Sequence, residues 1–478
     1  MKTGMTMMRG FVFSMVATAG LGLTACDTPE PADADGEVSA RSDDSTGRLK
    51  KIADLRAALA ANNITPIAAP PSVTPAMFEL GKALFYDKIL SGTRDVACAT
   101  CHAPQHASAD GRSLNIGIFG TGIGPTRTGG MVGGRHTQPL FNLHLLPGNL
   151  TIDGKVELIN GLVSPLGLGT SFIPLPVQQL LGFDVVNTQA ILPIATGQEM
   201  LGFPNPNDNN EVGDCAPFDL NCVWGAYMVR ILAIPEYRAL FAAAFPSAPP
   251  AQYNITQVGV AIGSYEYAAF AFDDSPWDRF VAGDNAAISK AAVRGALTFF
   301  NPAKGNCVSC HSGNNFTDLK FHKTLTPQFG PGGTVPGGDG PDGLDDFGRK
   351  RNSHGAGNID KYAWRTPPLR GVELTAPYGR LGQYTELEDQ ILHYINPTQA
   401  LLNYDITQLE TPALHSTLLN NTADVLASGV DPLMSTVRIT AEDVPDLVAF
   451  IYSMTDDAER DMNHLVPATV PSGLPVDQ

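Results

Sequence analysis

Apolar residues recur along this chain at helical rather than strand spacing. Met77, Leu80 and Leu84 share one face of a segment that opens at Thr74-Pro75, a capping hydroxyl followed by a residue whose fixed φ suits a first turn. Ile288, Ala292, Gly295 and Phe299 repeat the arrangement in the second half, and the GKALFYD stretch at Gly81 is echoed by GALTFFN at Gly295. Residues 223–245, punctuated by Pro235 and closed by Pro246, read as a packing helix. Residues 442–454 read as a C-terminal helix, with Thr440 and Asp443 as its capping pair and Val444, Leu447, Val448 and Ile451 along one face. Gly-rich stretches at 117–134 and 330–343 lack the Lys-Ser/Thr or strand setting of a phosphate loop and read as loops. The expected fold is mainly α, two related helical units with loop insertions.

The ends differ in character from the middle. Residues 1–25 carry Lys2 and Arg9 and then an apolar run too short and wrongly flanked for a spanning helix, the pattern of an export signal. The signal closes in Leu23-Thr24-Ala25-Cys26, which resembles a bacterial lipobox, whose cysteine becomes the acylated first residue; an ordinary secretory signal with an incidental Cys26 is the alternative. Residues 26–70 read as an acidic tether and lead-in, rich in Pro, Ala, Asp and Ser up to about residue 48. No later run is long enough to cross a bilayer, so the only expected membrane link is the lipid at Cys26. The expected location is periplasmic or outer-surface, lipid-anchored to a bacterial membrane.

Formal charge is −17 over 478 residues. This argues against nucleic acid, whose binding demands basic surface. It suits a basic redox partner such as a small cytochrome c, and equally an acidic exported protein with no such partner.

The candidate chemistry lies in Cys98-x-x-Cys101-His102 and Cys307-x-x-Cys310-His311. In a c-type haem site two thiols add across the vinyl groups and the adjoining imidazole ligates iron. Two Cys pairs could instead build one zinc site, and a single pair could be a thioredoxin-like redox motif. The His after each pair, and the absence of a βαβ setting, favour two covalently bound haems. Cys215 and Cys222 then remain, a close pair in a Pro/Asn/Asp-rich loop, expected as a local disulfide in an oxidising compartment.

With both motifs in hand, the chain resembles the bacterial di-haem cytochrome c peroxidases and their MauG-like relatives. The resemblance is carried by LGKALFYDKILSG before the first motif, IPEYRALFAAAFP at Ile234, SPWDRFVAGD at Ser275, TPPLRGVELTAPYG at Thr366 and VPDLVAFIYSM at Val444. It implies an N-terminal peroxide-reactive haem domain, placed at 71–270, and a C-terminal electron-transfer haem domain at 271–478. His102 and His311 would be the proximal ligands. It implies a catalytic acid/base in the Thr196-Gly197-Gln198-Glu199-Met200 segment, namely Glu199, and a sixth ligand of the second iron at Tyr394, where peroxidases have Met. Met434, Met454 and Met462 are reserve ligands.

Three departures from the family pattern stand out. Residues 116–120 lack the His that closes the first haem in the peroxidases, so that haem is expected to be open unless His106 or His136 reaches it. The inter-haem Trp segment is best matched by Thr151-Ile152-Asp153-Gly154-Lys155. Calcium between the domains would use Thr375 and Pro377, yet Arg135 is followed by His136, and imidazole is a poor calcium ligand. The implied function is reduction of hydrogen peroxide with electrons from an external donor. The alternatives are MauG-like oxidation of a protein or organic substrate, and electron carriage without peroxide chemistry.

Overall fold

The threonine before Pro75 caps a helix as expected: its hydroxyl accepts the Met77 N–H at 3.3 Å, and Pro75 takes the first turn of the Pro75–Tyr86 helix. This is seen in a computed structural model describing residues 45–165, 174–204, 210–216, 219–332, 338–352 and 357–478. The export signal, Cys26 and the acidic part of the tether lie outside the described residues.

Leu80 and Leu84 are fully buried where this helix crosses the Ile255–Ala269 helix. Gly81 permits the crossing, because a Cβ there would stand 2.0 Å from the Ala261 carbonyl oxygen. The second half repeats the device. The Lys290–Phe300 helix crosses the Val444–Tyr452 helix, and a Cβ on Gly295 would lie 1.8 Å from the Asp446 carbonyl oxygen. The GKALF/GALTF echo is thus a repeated helix crossing, and the first helix of each crossing precedes one Cys-x-x-Cys-His motif in sequence.

Each crossing has its own apolar core. The first gathers Phe85, Tyr86, Tyr265 and Phe270; the second packs Trp277, Phe299, Phe300 and Phe316 around Phe450. The chain ends cross between them. Met462, Leu465 and Val470 complete the first core, whereas Ile52, Leu55 and Leu59 of a Ser45–Ala61 helix join the second. That helix falls within the segment read as tether and lead-in. Its apolar residues form a narrow stripe among Lys, Arg and Ala, a pattern that becomes a helix face only when a partner covers it.

The single helix read over 223–245 is two, Leu220–Leu232 and Pro235–Ala244, since Pro235 has no N–H to continue the first and occupies the opening turn of the second. At the C-terminus the Asp443 carboxylate accepts the Thr440 N–H at 3.0 Å, capping a 3-10 turn that runs into Val444–Tyr452. Strands are confined, among the described residues, to three two-stranded ladders. One of them pairs Phe321–His322 with Trp364–Arg365.

Candidate functional site

Cys98–Cys101 form one helical turn, with the Thr100 hydroxyl accepting the Ala97 N–H at 2.8 Å, and His102 follows as its C-cap. The His102 Nδ1 lies 3.2 Å from the Ser108 carbonyl oxygen, and in the second motif His311 Nδ1 lies 3.0 Å from that of Phe316. A carbonyl can only accept, so each Nδ1 carries a proton. Burial lowers both imidazole pKa values and keeps the rings neutral, which leaves each Nε2 with a free lone pair. Cys98, Cys101, Cys307 and Cys310 form no disulfide, so all four sulfurs are available to attach haem.

Both motifs open on one cavity of about 490 Å³. Leu140, Phe141 and Leu146 line its first end, and Phe299, Leu447 and Ile451 its second. In its wall, Trp364 Nε1 and Arg380 Nε are buried donors with no protein acceptor. Paired thiols, a neutral imidazole with a free Nε2, apolar walls and orphaned donors for haem carboxylates together fit two covalently held haems.

Glu199 lines the same cavity as Cys101 and His102. Burial raises its carboxyl pKa, against the opposing pull of Lys155 and Arg135. It sits on a five-residue π-turn, Gly197–Leu201, closed by Gly202 N–H to Gly197 O at 2.9 Å. Gly117, from the first Gly-rich loop, passes so close that a Cβ would stand 2.0 Å from the Gln198 carbonyl oxygen. Of the reserve histidines, His106 is absent from the cavity wall, while His136 lines it with Nδ1 held 2.7 Å from the Arg112 carbonyl.

Asp153 binds Arg135 at 2.7 Å. Arg135 also binds Asp346 at 2.9 Å, and Arg380 lies 3.4 Å from the same carboxylate. This buried network joins residues of both halves. Burial alone would raise the Asp153 pKa, yet Arg135 overrides it and holds the group at about 2. Trp364 lies beneath both guanidiniums, its ring centroid 4.1 Å from Arg380 and 5.5 Å from Arg135.

At the second end Tyr394, directly after the Leu387–His393 helix, lines the cavity with Cys307 and Cys310, and burial raises its phenol pKa. Met434 also lines it. Met454 and Met462 do not: each is buried in one of the two cores, which removes them as reserve ligands. His322 bridges Asp318 (3.0 Å) and Asp431 (2.7 Å), and these carboxylates, Asp318 foremost, raise its pKa. Thr375 and Pro377 lie in the cavity wall, and among the described residues no three His, Cys, Asp or Glu side chains gather to hold a metal. Cys215 and Cys222 are joined, with an S–S distance of 2.01 Å.

Residue type and spacing singled out neither the Arg135–Asp153–Asp346–Arg380 network nor the His322 bridge. The network's members are far apart in the chain, and although Asp318 stands four residues before His322, Asp431 comes 109 residues after it. Trp364 was within reach, standing two residues before the TPPLRG stretch.

A family model described as di-haem cytochrome c peroxidase matches residues 75–286. The methylamine utilization protein MauG of Methylophilus methylotrophus is 30% identical over 329 residues, 69% of this chain and 74% of that protein. The cytochrome c551 peroxidase of Pseudomonas aeruginosa is 26% identical over 331 residues, 69% of this chain and 74% of that protein. Among solved structures, a MauG-like protein associated with microbial copper homeostasis superposes with a TM-score of 0.54 at 23% identity, covering 82% of this chain and 95% of that one. The diheme peroxidase BthA from Burkholderia thailandensis gives 0.54 at 20% identity, covering 87% and 95%. These two likenesses speak to the fold, two cytochrome c-like domains. The chain belongs to the di-haem cytochrome c peroxidase and MauG family of enzymes, which implies two c-type haems.

Proposed function

We propose that the protein reduces hydrogen peroxide at a haem attached through Cys98 and Cys101 and ligated by His102, with electrons from a small donor such as a cytochrome c. They would enter through a second haem on Cys307, Cys310 and His311. The observation that carries this reading is a buried carboxyl, Glu199, in the wall of the cavity that holds the first motif, with its pKa raised by burial. Each peroxide takes two electrons and two protons and leaves two waters, and the haem iron supplies the binding position and the electron path. Glu199 accepts the proton from the oxygen nearer the iron and returns it to the leaving oxygen; a carboxyl lifted out of its ordinary range is suited to both.

Glu199→Gln should lower peroxide turnover by roughly 10²- to 10⁴-fold while leaving haem content and the second haem's spectrum unchanged. Turnover within a factor of about two of the parent would remove Glu199 from the role. With a basic cytochrome as donor, kcat/KM should fall as salt is raised, since the chain's formal charge is −17.

The second reading, MauG-like oxidation of a protein or organic substrate, is favoured by Tyr394 in the second haem's pocket, since a phenolate ligand stabilises high iron oxidation states. An EPR spectrum of the oxidised protein separates the cases. A high-spin signal lost on adding peroxide, beside a low-spin one, means an open first haem. Two low-spin signals indifferent to peroxide mean a closed pocket.

The domain extents 71–270 and 271–478, export, and a lipid at Cys26 belong to the same proposal. Cys26→Ser should release the protein from the membrane fraction. A calcium ion between the domains would rest on main-chain oxygens, including those of Thr375 and Pro377, because no carboxylate cluster stands there among the described residues.

A further inference from the structure

A five-residue π-turn cannot satisfy all of its own carbonyls, because no helix continues beyond it to supply N–H donors. In the Gly197–Leu201 turn three of these oxygens are met from three separate segments. Gln198 O accepts the Ile118 N–H at 3.3 Å, Met200 O accepts the Gly92 N–H at 2.7 Å, and Leu201 O accepts the Asn210 side-chain Nδ2–H at 2.7 Å. The first two donors are backbone. Asn210 is the side chain among them.

Asn210 is itself tightly held. It is 2% exposed, and its Oδ1 accepts the Gly213 N–H at 2.9 Å. Three glycines enclose it: a Cβ on Gly92, Gly202 or Gly213 would stand 2.4, 2.5 and 2.4 Å from its amide. Its chain neighbour Glu211 is bound by Arg230 at 2.7 Å, and Arg230 reaches on to the carbonyls of Ile89 and Ser91 at 3.0 and 2.7 Å. Five residues along, Cys215 is tied to Cys222. The amide is therefore fixed through the residues that follow it before it meets the turn.

We propose that Asn210 is a positioning residue for Glu199, its amide fixing the end of the π-turn so that the carboxyl stays aimed into the first haem's cavity. This deepens the acid/base reading of Glu199 and rests on it. Asn210→Asp keeps the shape and the acceptor for Gly213 but removes the donor, and Asn210→Ala removes both.

The test is a double-mutant cycle on the haem-loaded protein, with Asn210→Asp and Asn210→Ala each made alone and in the Glu199→Gln background. Peroxide turnover is read together with the EPR spectrum of each haem. Alone, either Asn210 variant should lower turnover by roughly ten- to hundred-fold, as a displacement of about 1 Å does, and alter the first haem's signal but not the second's. In the Glu199→Gln background neither should lower turnover further. An equal loss in both backgrounds, or unchanged turnover and first-haem signal in both single variants, would overturn the proposal. If Glu199→Gln alone leaves turnover intact, the acid/base reading fails instead. A changed first-haem signal in the Asn210 variants would then still report that the turn has moved.

Discussion

Glu459 shows what a single buried charge does when its surroundings do not balance it. It is 2% exposed, and its Oε2 accepts the Asp456 N–H at 3.3 Å. Burial first, and then the charges of Asp456 and Asp278, raise its pKa to about 8; the cation facing it, Arg370, is already bound to Asp278 at 2.9 Å. A carboxyl raised from an ordinary value near 4.5 stabilises the fold when protonated. That contribution is fully present below about pH 4.5 and is lost as pH rises through about 8. Each unit of such a shift corresponds to about 1.4 kcal/mol, so the effect amounts to a few kcal/mol. Glu459→Gln, which keeps an oxygen for Asp456, should raise Tm above pH 8 and change it little near pH 5. Thermal melts across pH 5 to 9 check this, and parallel curves for the two proteins would refute it. At this scale the residues whose role follows from type and spacing, the two Cys-x-x-Cys-His motifs, were legible in the sequence. Glu459, Asn210 and the partners of Arg135 were not, since their properties come from neighbours distant in the chain.

Among the elements, the two helix crossings carry the repeated architecture. Gly295→Ala would drive a methyl into the Asp446 carbonyl and part the helices. We expect a loss of about 3 kcal/mol or more, and Gly81→Ala should act alike in the first core. Gly225, on the Leu220–Leu232 helix with nothing within 4 Å of where a Cβ would stand, is the control. Gly225→Ala should stabilise by roughly 0.5–1 kcal/mol through helix propensity alone. Chemical denaturation of the three variants tests the pair against the control. Helix existence was readable from period and caps, as at Thr74-Pro75 and at Thr440 with Asp443. The Ser45–Ala61 helix was not, because its stripe of Ile52, Leu55 and Leu59 is narrow and gains its partner only from the second core. The break at Pro235 was visible, but its consequence, two helices rather than one punctuated helix, depended on what each half packs against.

For the whole molecule, the Arg135 network decides how residues of the two halves meet. Its side chains are at most 10% exposed, so removing one partner strands the others. Arg135→Ala leaves Asp153 without its guanidinium and Asp346 with Arg380 alone, and should cost about 3–5 kcal/mol. The loss should be nearly independent of salt, because water does not screen it. Denaturation at low and high ionic strength would show this, and a cost that vanishes in high salt would mean the network is solvated. The crossing of the chain ends adds to the same junction: an N-terminal helix completes the second core, and Met462, Leu465 and Val470 complete the first.

By itself the sequence determined the chemistry on offer: two covalent haem motifs, a helical fold built as a repeat, and an acidic chain. Each of these rests on residue type at short spacing, where covalent geometry and helical period already limit the outcome. Tertiary structure decided the rest. It brought Glu199 to the first motif, set Tyr394 beside the second, buried Arg135 with its two carboxylates, and placed Asn210 against the carbonyl that ends the Glu199 turn. Burial and long-range partnership set those properties, and neither exists until the chain has closed on itself.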